Sequence, residues 1–182
     1  LLDIASFTDL LHNASLIHDD LIDDDSERRG CATPWKKYGK EKALLLGDLL
    51  ISKSLEISTN INADSNLKTA WASEISNCVS AAVRGAFFEL DFTSQRPKET
   101  LSNYIKMSRD KTGVMFALPA RCVAIAARKN KVCLDSITEI FTNIAIAYQI
   151  RDDQADYFGI KKGRKNPSDL KNKRPNLYYL LE

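Results

Sequence analysis

The sequence is poor in the residues that interrupt helices. It contains seven glycines and five prolines among 182 residues. The long stretches between them carry apolar residues at a spacing of three and four, and none alternates as a strand does. We therefore predict an all-α protein.

Two long helices are predicted in the first half of the chain, over residues 41–59 and 67–92, after a connecting loop from Arg29 to Lys40. Gly47 interrupts the apolar face of the first helix, and close packing against a neighbouring helix would compensate its cost of roughly 1 kcal/mol. Trp71 and Phe87 recur at helical spacing on the second helix and are expected in the core or at a helix–helix interface.

A further long helix is predicted after Asp135, which is its expected cap. Its apolar stripe consists of Ile137, Ile140, Phe141, Ile144 and Tyr148.

Three further shortages exclude whole classes of protein. The cysteines form neither a CxxC pair nor a zinc-binding spacing, so reduced thiols of a cytoplasmic protein are expected. No apolar run approaches the roughly 18 residues of a membrane span, and no signal peptide is recognisable. Twenty-six basic residues balance 24 acidic ones, which argues against nucleic acid as a partner. The four cysteines are Cys31, Cys78, Cys122 and Cys133.

The length favours one domain. A chain of 182 residues with 44% hydrophobic content can bury one substantial core, so we predict a single helical domain over residues 1–182. The chain opens inside a helical pattern without an initiator Met and closes on what resembles the start of another helix. We expect that N-terminal and C-terminal helices of the domain are missing from it.

An acidic cluster lies at the end of the first helical pattern. Asp19, Asp20 and Asp23 follow an apolar run, and positions three and four apart share one face of a helix. Two carboxylates about 4 Å apart repel by about 4 kcal/mol at an effective dielectric constant of 20. Such a cluster needs either full solvation or a bound cation.

The same pattern recurs far along the chain. Asp152, Asp153 and Asp156 end a second long apolar pattern, and Gln149 shares their face. If the two clusters face each other across the cavity of a helical bundle, six carboxylates surround a polar mouth. Oxygen ligands without sulfur favour Mg²⁺, which is usually shared between a few carboxylates and substrate phosphates.

Cationic residues near both clusters indicate an anionic ligand. Arg28 and Arg29 follow the first cluster, Lys111 lies between the two, and several lysines follow Gly159. A diphosphate bridged by Mg²⁺ fits this charge pattern, and the apolar helices would provide an apolar cavity for the rest of the substrate. Metal ions and cations could stabilise a departing diphosphate while apolar walls shelter a carbocation.

These motifs resemble the trans-isoprenyl (polyprenyl) diphosphate synthase family, in particular its geranylgeranyl and longer-chain members. The resemblance implies a helical bundle around a central cavity, with Asp19, Asp20, Asp23, Asp152, Asp153 and Asp156 as Mg²⁺ ligands. It implies that Lys111, Thr112 and Gln149 contact the allylic diphosphate or its metals and take part in catalysis. The further diphosphate contacts that it implies are Arg28, Arg29, Lys165 and Arg174, with Arg29 on the isopentenyl side.

The resemblance also implies a reaction. An allylic prenyl diphosphate condenses with isopentenyl diphosphate, and the enzyme is a homodimer joined through its middle helices. Three departures concern mainly the isopentenyl side. The family's Gly-Lys-Arg site would lie upstream of residue 1, Ala86 follows Gly85 where the family has Gln, and the loop after Asp169 is atypical.

Product length depends on the residues one or two turns before Asp19, because a growing chain extends away from the metals. These are Leu11, Ala14 and Ser15. Synthases that stop at fifteen carbons resemble this stretch but carry a bulky aromatic there or an insertion between the aspartates. Neither is present, so we expect a product of twenty carbons or more, unless Ala14 merely packs against another helix.

Other functions remain as alternatives. A class I terpene cyclase ionises a similar diphosphate, but the complete DDQAD motif at residues 152–156 speaks against it. A non-catalytic partner subunit should have lost carboxylates, and none is lost here. His12, His18 and Asp19 faintly echo the HD phosphohydrolases, which leaves the second cluster unexplained. The basic segment from Lys161 to Arg174 could instead be a membrane or nucleic-acid patch.

Overall fold

The computed structural model describes residues 1–94, 101–160, 169 and 174–181. Contacts within the chain divide it into two compact units, Leu1–Ile75 and Ser76–Glu182, and the boundary falls inside one long helix. The described elements are α1 (Leu2–Ile22), β1 (Glu27–Arg28), β2 (Cys31–Ala32), α2 (Pro34–Tyr38), α3 (Lys40–Asn60), α4 (Ser65–Ser94), α5 (Leu101–Ser108), a π-helical turn (Arg109–Gly113), α6 (Val114–Ala126), α7 (Lys131–Tyr157) and α8 (Leu177–Leu181). Helix dominates, as predicted.

The first unit is built on the packing of α1 against α3. The buried face of α1 carries large apolar residues, whereas that of α3 carries Ala43, Gly47, Ser54 and Ser58. Small residues on one helix let the other approach closely. The two helices run antiparallel, because Ser54 donates to the carbonyl of Phe7 at 2.9 Å while the other end of α1 meets the start of α3.

Gly47 is a point of close approach between α1 and α3, which confirms the packing role expected of it. A Cβ built there would lie 2.1 Å from Nε2 of His18. That imidazole nitrogen also lies 3.3 Å from the carbonyl oxygen of Leu44 and 3.5 Å from a carboxylate oxygen of Asp48. The imidazole therefore occupies the space that a side chain at position 47 would need.

In the second unit, α7 packs against α5, the π-helical turn, α6 and α8. Arg121 of α6 ties these helices by donating to the hydroxyl of Thr138 at 2.7 Å. The π-helical turn lies under α4, where a Cβ on Gly85 would come within 2.5 Å of the backbone nitrogen of Lys111. Because that neighbour is backbone, only glycine fits at position 85 without moving the turn.

The structure corrects two details of the sequence interpretation. Residues between Arg29 and Lys40 were expected to form a loop, but they include β2 and α2, and β1 pairs antiparallel with β2. Asp135 was expected to cap the last long helix, but Asn130 is the cap and accepts from the amide of Cys133 at 3.0 Å. Two-residue strands carry no alternation to detect, and Asp135 lies within a helix that starts one turn earlier.

The apolar stripe predicted on this helix is mostly exposed. Ile140, Ile144 and Tyr148 of α7 are 49–56% exposed, whereas Thr142, Ala145, Asp153 and Asp156 are buried. The face of α7 that carries Asp153 and Asp156 is thus the inward one.

The aromatic residues of α4 were expected in the core or at a helix–helix interface. Trp71 is buried and contacts the ring of Phe7, whereas Phe87 is 64% exposed.

None of the described helices combines the length and apolar character needed to cross a bilayer.

The fit of His18 over Gly47 predicts opposite signs for one substitution in two backgrounds. Gly47→Ala should lower the free energy of unfolding by about 1–3 kcal/mol, because the methyl group overlaps the imidazole. With His18→Ala already present, the same change should stabilise the protein by up to about 1 kcal/mol, the helix propensity gained over glycine. Urea unfolding of the four variants measures both, and stabilisation of the wild-type background by Gly47→Ala would contradict the packing.

Candidate functional site

The first aspartate cluster lies at the C-terminal end of α1. Asp19 and Asp20 belong to the last turn, and Asp23 is the C-cap, with its amide donating to the carbonyl of Asp19 at 2.9 Å. Asp20 is 2% exposed, whereas Asp19 and Asp23 are half-buried. The three carboxylates therefore have different environments despite their common face.

Arg28 neutralises the buried member of this cluster. Its Nε and Nη2 lie 2.8 and 2.7 Å from the same oxygen, Oδ1 of Asp20. Burial alone would lower the pKa of the Arg28 guanidinium, but the hydrogen bond and the charge of Asp20 outweigh it and raise that pKa. A buried carboxylate needs such a partner, since an unpaired charge away from water is very costly.

A tight hairpin presents the two arginines differently. Arg28 pairs with Cys31 across β1 and β2, and the turn is formed by Arg29 and Gly30 at φ values of 53° and 79°. Positive φ at both central residues matches the right-handed twist of a hairpin. Arg28 is consequently half-buried on Asp20, and Arg29 is exposed at the tip.

The base of this hairpin is fixed by one carbonyl. The hydroxyl of Thr33 and the indole N–H of Trp35 both donate to the carbonyl of Asp25 at 2.7 Å. Thr33 is 2% exposed, so this junction is sheltered from water. Sequence reasoning missed both residues, because a side chain that bonds to a distant backbone carbonyl leaves no local pattern.

In the second unit, the π-helical turn carries Lys111 and Thr112. Nζ of Lys111 lies 2.5 Å from Oε2 of Glu89 on α4, and the two side chains are 23% and 16% exposed. The hydroxyl of Thr112 lies 3.4 Å from Oε1 of Gln149 on α7, at the limit of a hydrogen bond. π-Helical turns of this kind are frequent at functional sites.

The second aspartate cluster occupies the last turns of α7. Asp152 is half-buried, and Asp153 and Asp156 are each 1% exposed. Gln149 donates to Oδ1 of Asp153 at 2.9 Å, which confirms that it lies on the carboxylate face. The amide of Asp169 donates to Asp156 at 3.0 Å.

Asp153 is enclosed by protein donors. The hydroxyl of Tyr104 donates to its Oδ2 at 2.7 Å, and the backbone amide of Leu177 donates to the same oxygen at 2.9 Å. Burial raises the pKa of the Asp153 carboxyl although these hydrogen bonds oppose it, and burial next to this carboxylate raises the pKa of the Tyr104 hydroxyl. Asp153 therefore acts as an internal acceptor.

The remaining predicted residues have mixed surroundings. Leu11 and Ala14 are 2% and 1% exposed, whereas Ser15 is half-buried and donates to the carbonyl of His12 at 2.8 Å. Arg174 is half-buried, and Lys165 lies outside the described residues. Glu89, Tyr104 and Asn176 were not predicted from the sequence.

The donor chemistry of both clusters fits Mg²⁺ shared with a ligand. Within the described residues, no group of three or more His, Cys, Asp or Glu side chains could hold a metal ion. Mg²⁺ commonly takes only one or two carboxylates and completes its shell with phosphate oxygens and water. Asp19, Asp23 and Asp152 retain partial exposure and are the carboxylates suited to that role.

Both DDxxD sequences thus lie at helix ends in a helical fold, as the resemblance implies for helical prenyl synthases. A family model, polyprenyl synthetase, matches residues 1–181, and the chain belongs to that family. The short chain isoprenyl diphosphate synthase of Methanocaldococcus jannaschii is 32% identical over 172 residues, which is 93% of this chain and 52% of that protein. The geranylgeranyl diphosphate synthase of Methanosarcina mazei is 31% identical over 171 residues, 93% of this chain and 52% of that protein.

Solved structures agree on the fold. The geranylgeranyl pyrophosphate synthetase from Pyrococcus horikoshii superimposes with a TM-score of 0.79 at 31% identity, covering 85% of this chain and 47% of that one. A further geranylgeranyl pyrophosphate synthase, at 24% identity, has the same fold, with a TM-score of 0.89 over 98% of this chain and 54% of that one. The chain spans about half the length of the curated relatives that it matches.

The burial of Asp20 predicts strong coupling to Arg28. Arg28→Gln should lower the free energy of unfolding, and adding Asp20→Asn should recover part of the loss, giving a coupling of about 1–3 kcal/mol. The exposed pair of Lys40 with Asp24, which is 2.5 Å apart, serves as the matched control. Its coupling should stay below about 1 kcal/mol. Urea unfolding of the single and double variants of each pair measures both coupling energies. Equal coupling energies for the two pairs would show that burial does not strengthen the pair of Asp20 with Arg28.

Proposed function

We propose that this protein is a Mg²⁺-dependent prenyltransferase that condenses an allylic prenyl diphosphate with isopentenyl diphosphate and releases diphosphate. Family membership and the names of the relatives support this proposal. The observation that carries it is the difference in burial between the first and second aspartates of each cluster. In each, the second aspartate is buried against protein donors, whereas the first is half-buried and keeps part of its surface exposed.

Asp19 and Asp23 in the first unit, and Asp152 in the second, are the proposed Mg²⁺ ligands. Bound Mg²⁺ would supply positive charge to the diphosphate as its bond to the allylic carbon breaks. Oδ1 of Asp20 accepts from Arg28, and both oxygens of Asp153 accept from Tyr104, Gln149 and Leu177. We therefore propose that these two carboxylates mainly hold the neighbouring ligands in place.

Cationic and polar groups are proposed to bind the substrates. In the first unit, Arg28 reaches the allylic diphosphate from its place on Asp20, and Arg29 serves the isopentenyl side. In the second unit, Lys111 donates to diphosphate oxygens while Glu89 holds its ammonium in position. Thr112, Gln149, Lys165 and Arg174 complete the set of proposed contacts.

The proposed reaction begins with ionisation of the allylic C–O bond. The double bond of isopentenyl diphosphate then attacks the allylic cation, and a proton is lost from the adduct to form the new double bond. The departing diphosphate is the proposed base. The protein contributes by fixing donors where negative charge develops, which in comparable sites is worth several kcal/mol.

We also propose a homodimer. Val83 and Phe87 are 47% and 64% exposed on one face of α4, as expected if this middle helix joins two copies. Sedimentation of the natural protein tests this assignment.

The function is tested by incubating the natural full-length protein with Mg²⁺, farnesyl diphosphate and isopentenyl diphosphate, and weighing the dephosphorylated product by mass spectrometry. A longer prenyl alcohol supports the proposal, and a cyclic hydrocarbon would instead identify a terpene cyclase. Asp152→Asn should lower kcat roughly 10²–10³-fold, because it removes a charge at the developing diphosphate.

Asp135→Asn is the matched control for this variant. Asp135 lies on the same helix, is exposed, and should leave kcat unchanged. Near-normal activity of Asp152→Asn at saturating Mg²⁺, with an intact melting curve, would remove α7 from the metal site.

The burial difference between Ala14 and Ser15 separates two effects on product length. We propose a product of twenty carbons or more, with Ser15 nearer the growing chain. Ser15→Phe should shorten the product, whereas Ala14→Tyr should mainly lower stability, by about 1–3 kcal/mol, because no space is open there.

Ser6→Phe, on an exposed face of the same helix, is the control and should leave product length unchanged. Product masses and melting curves of the three variants decide the matter. Release of only the fifteen-carbon product by the wild type would refute the length assignment.

A further inference from the structure

The segment that leads into α8 packs at the C-terminal end of α7 and is held there by hydrogen bonds among largely buried side chains. Tyr104, Asp153, Asp169 and Asn176 form this set, which we call the clasp. Tyr104 is fully buried, and Asp153 and Asn176 are each 1% exposed. At such burial these three side chains cannot touch a substrate directly.

Asp153 is the centre of the clasp. Its Oδ2 accepts from the Tyr104 hydroxyl at 2.7 Å and from the Leu177 amide at 2.9 Å, and its Oδ1 accepts from Gln149 at 2.9 Å. Three donors from α5, α7 and the start of α8 therefore converge on one carboxylate. Because the carboxylate itself is 1% exposed and both of its oxygens accept bonds, its direction is fixed.

Asn176 ties the returning chain to the same point. Its Nδ2 donates to the backbone carbonyl of Asp153 at 3.0 Å and to a carboxylate oxygen of Asp169 at 2.8 Å, while its Oδ1 accepts from the amide of Tyr178 at 3.0 Å. The amide of Arg174 in turn donates to the carbonyl of Asp169 at 2.8 Å. The backbone at Arg174 is thus held through Asp169 and Asn176.

The clasp joins two groups that the proposed function uses. Asp152 immediately precedes Asp153, and Arg174 lies two residues before Asn176. We propose that Tyr104 and Asn176 are positioning residues, which act through Asp153 to hold the proposed metal ligand Asp152 and the proposed diphosphate ligand Arg174 in a fixed relation. This inference rests on the proposed function and adds residues that touch neither metal nor substrate.

A purely structural role explains these residues less well. An apolar pair of similar volume can replace buried charged and polar partners at little cost to stability. A buried carboxylate with three donors instead fixes direction, which is what a neighbouring ligand for a metal-bound diphosphate requires.

The test uses the natural full-length protein, with Tyr104→Phe, Asn176→Ala and Asn176→Ser as variants. Asn176→Ser keeps an oxygen that can cap α8 but loses the amide donor to Asp153 and Asp169. Each variant should lower kcat about 10–100-fold, the effect typical of residues that orient a metal ligand. Calorimetry with Mg²⁺ and inorganic pyrophosphate should show weaker binding. The backbone amides of Arg174, Asn176, Leu177 and Tyr178 should exchange faster with deuterated water.

Tyr148→Phe and Asn143→Ala are the matched controls, because both residues lie exposed on α7. They should leave all three measurements at wild-type values. A role in capping alone predicts recovery of activity and binding by Asn176→Ser, and that recovery would overturn the inference. So would wild-type kcat and pyrophosphate affinity in folded Tyr104→Phe and Asn176→Ser.

Failure of the proposed function is distinguishable from failure of the clasp. If the wild type transfers no prenyl group, the proposed function fails, and pyrophosphate binding and amide exchange in the variants still decide the positioning role. If one variant is unfolded at the assay temperature, the other still tests the positioning role. Asn176→Ser and Tyr104→Phe remove hydrogen bonds from different donors.

Discussion

The buried carboxylate that is matched to fixed donors is the interaction on which the rest of this structure depends. Asp20 and Asp153 are almost inaccessible, and each is held by side chains from a separate segment of its own unit. Such groups are tolerable only when their hydrogen bonds are made. Meeting that condition brings Arg28 back to the end of α1 and Asn176 back to the end of α7. Asp19 and Asp152 are half-buried, and their positions are set by the buried carboxylates that follow them, Asp20 and Asp153.

Close backbone approach is the second constraint, and it differs between the units. In the first, Gly47 admits the imidazole of His18, a side chain that can move if pressed. In the second, Gly85 admits the backbone of the π-helical turn, which cannot move without displacing Lys111. Glu89 lies one helical turn beyond Gly85 and forms an ion pair with the ammonium of Lys111. The glycine thus positions the backbone of Lys111, and the ion pair positions its side chain.

Long elements were readable from the sequence and short or polar ones were not. Helices predicted over residues 41–59 and 67–92 are observed as Lys40–Asn60 and Ser65–Ser94, because apolar periodicity persists over many turns. The aspartate motifs and Gln149 were found because they are local. The hairpin, the Asn130 cap and the partners Glu89, Tyr104 and Asn176 were missed, since each depends on segments far apart in sequence. The exposure of the apolar stripe on α7 could not be predicted for the same reason, because the buried aspartates of this helix are satisfied by distant donors.

The π-helical turn has a consequence for the tolerance of this region to insertions and deletions. Buried residues Tyr104, Ser108, Gly113 and Ala117 are separated by four, five and four positions, so the turn absorbs one residue more than an α-helix would. Loss of a single residue between Arg109 and Gly113 would restore a continuous α-helix and rotate everything on one side by about 100°. The helix itself would survive such a deletion, but α5 and α6 could no longer both present their inner faces to α7. The number of residues in this segment is therefore constrained more tightly than their identities.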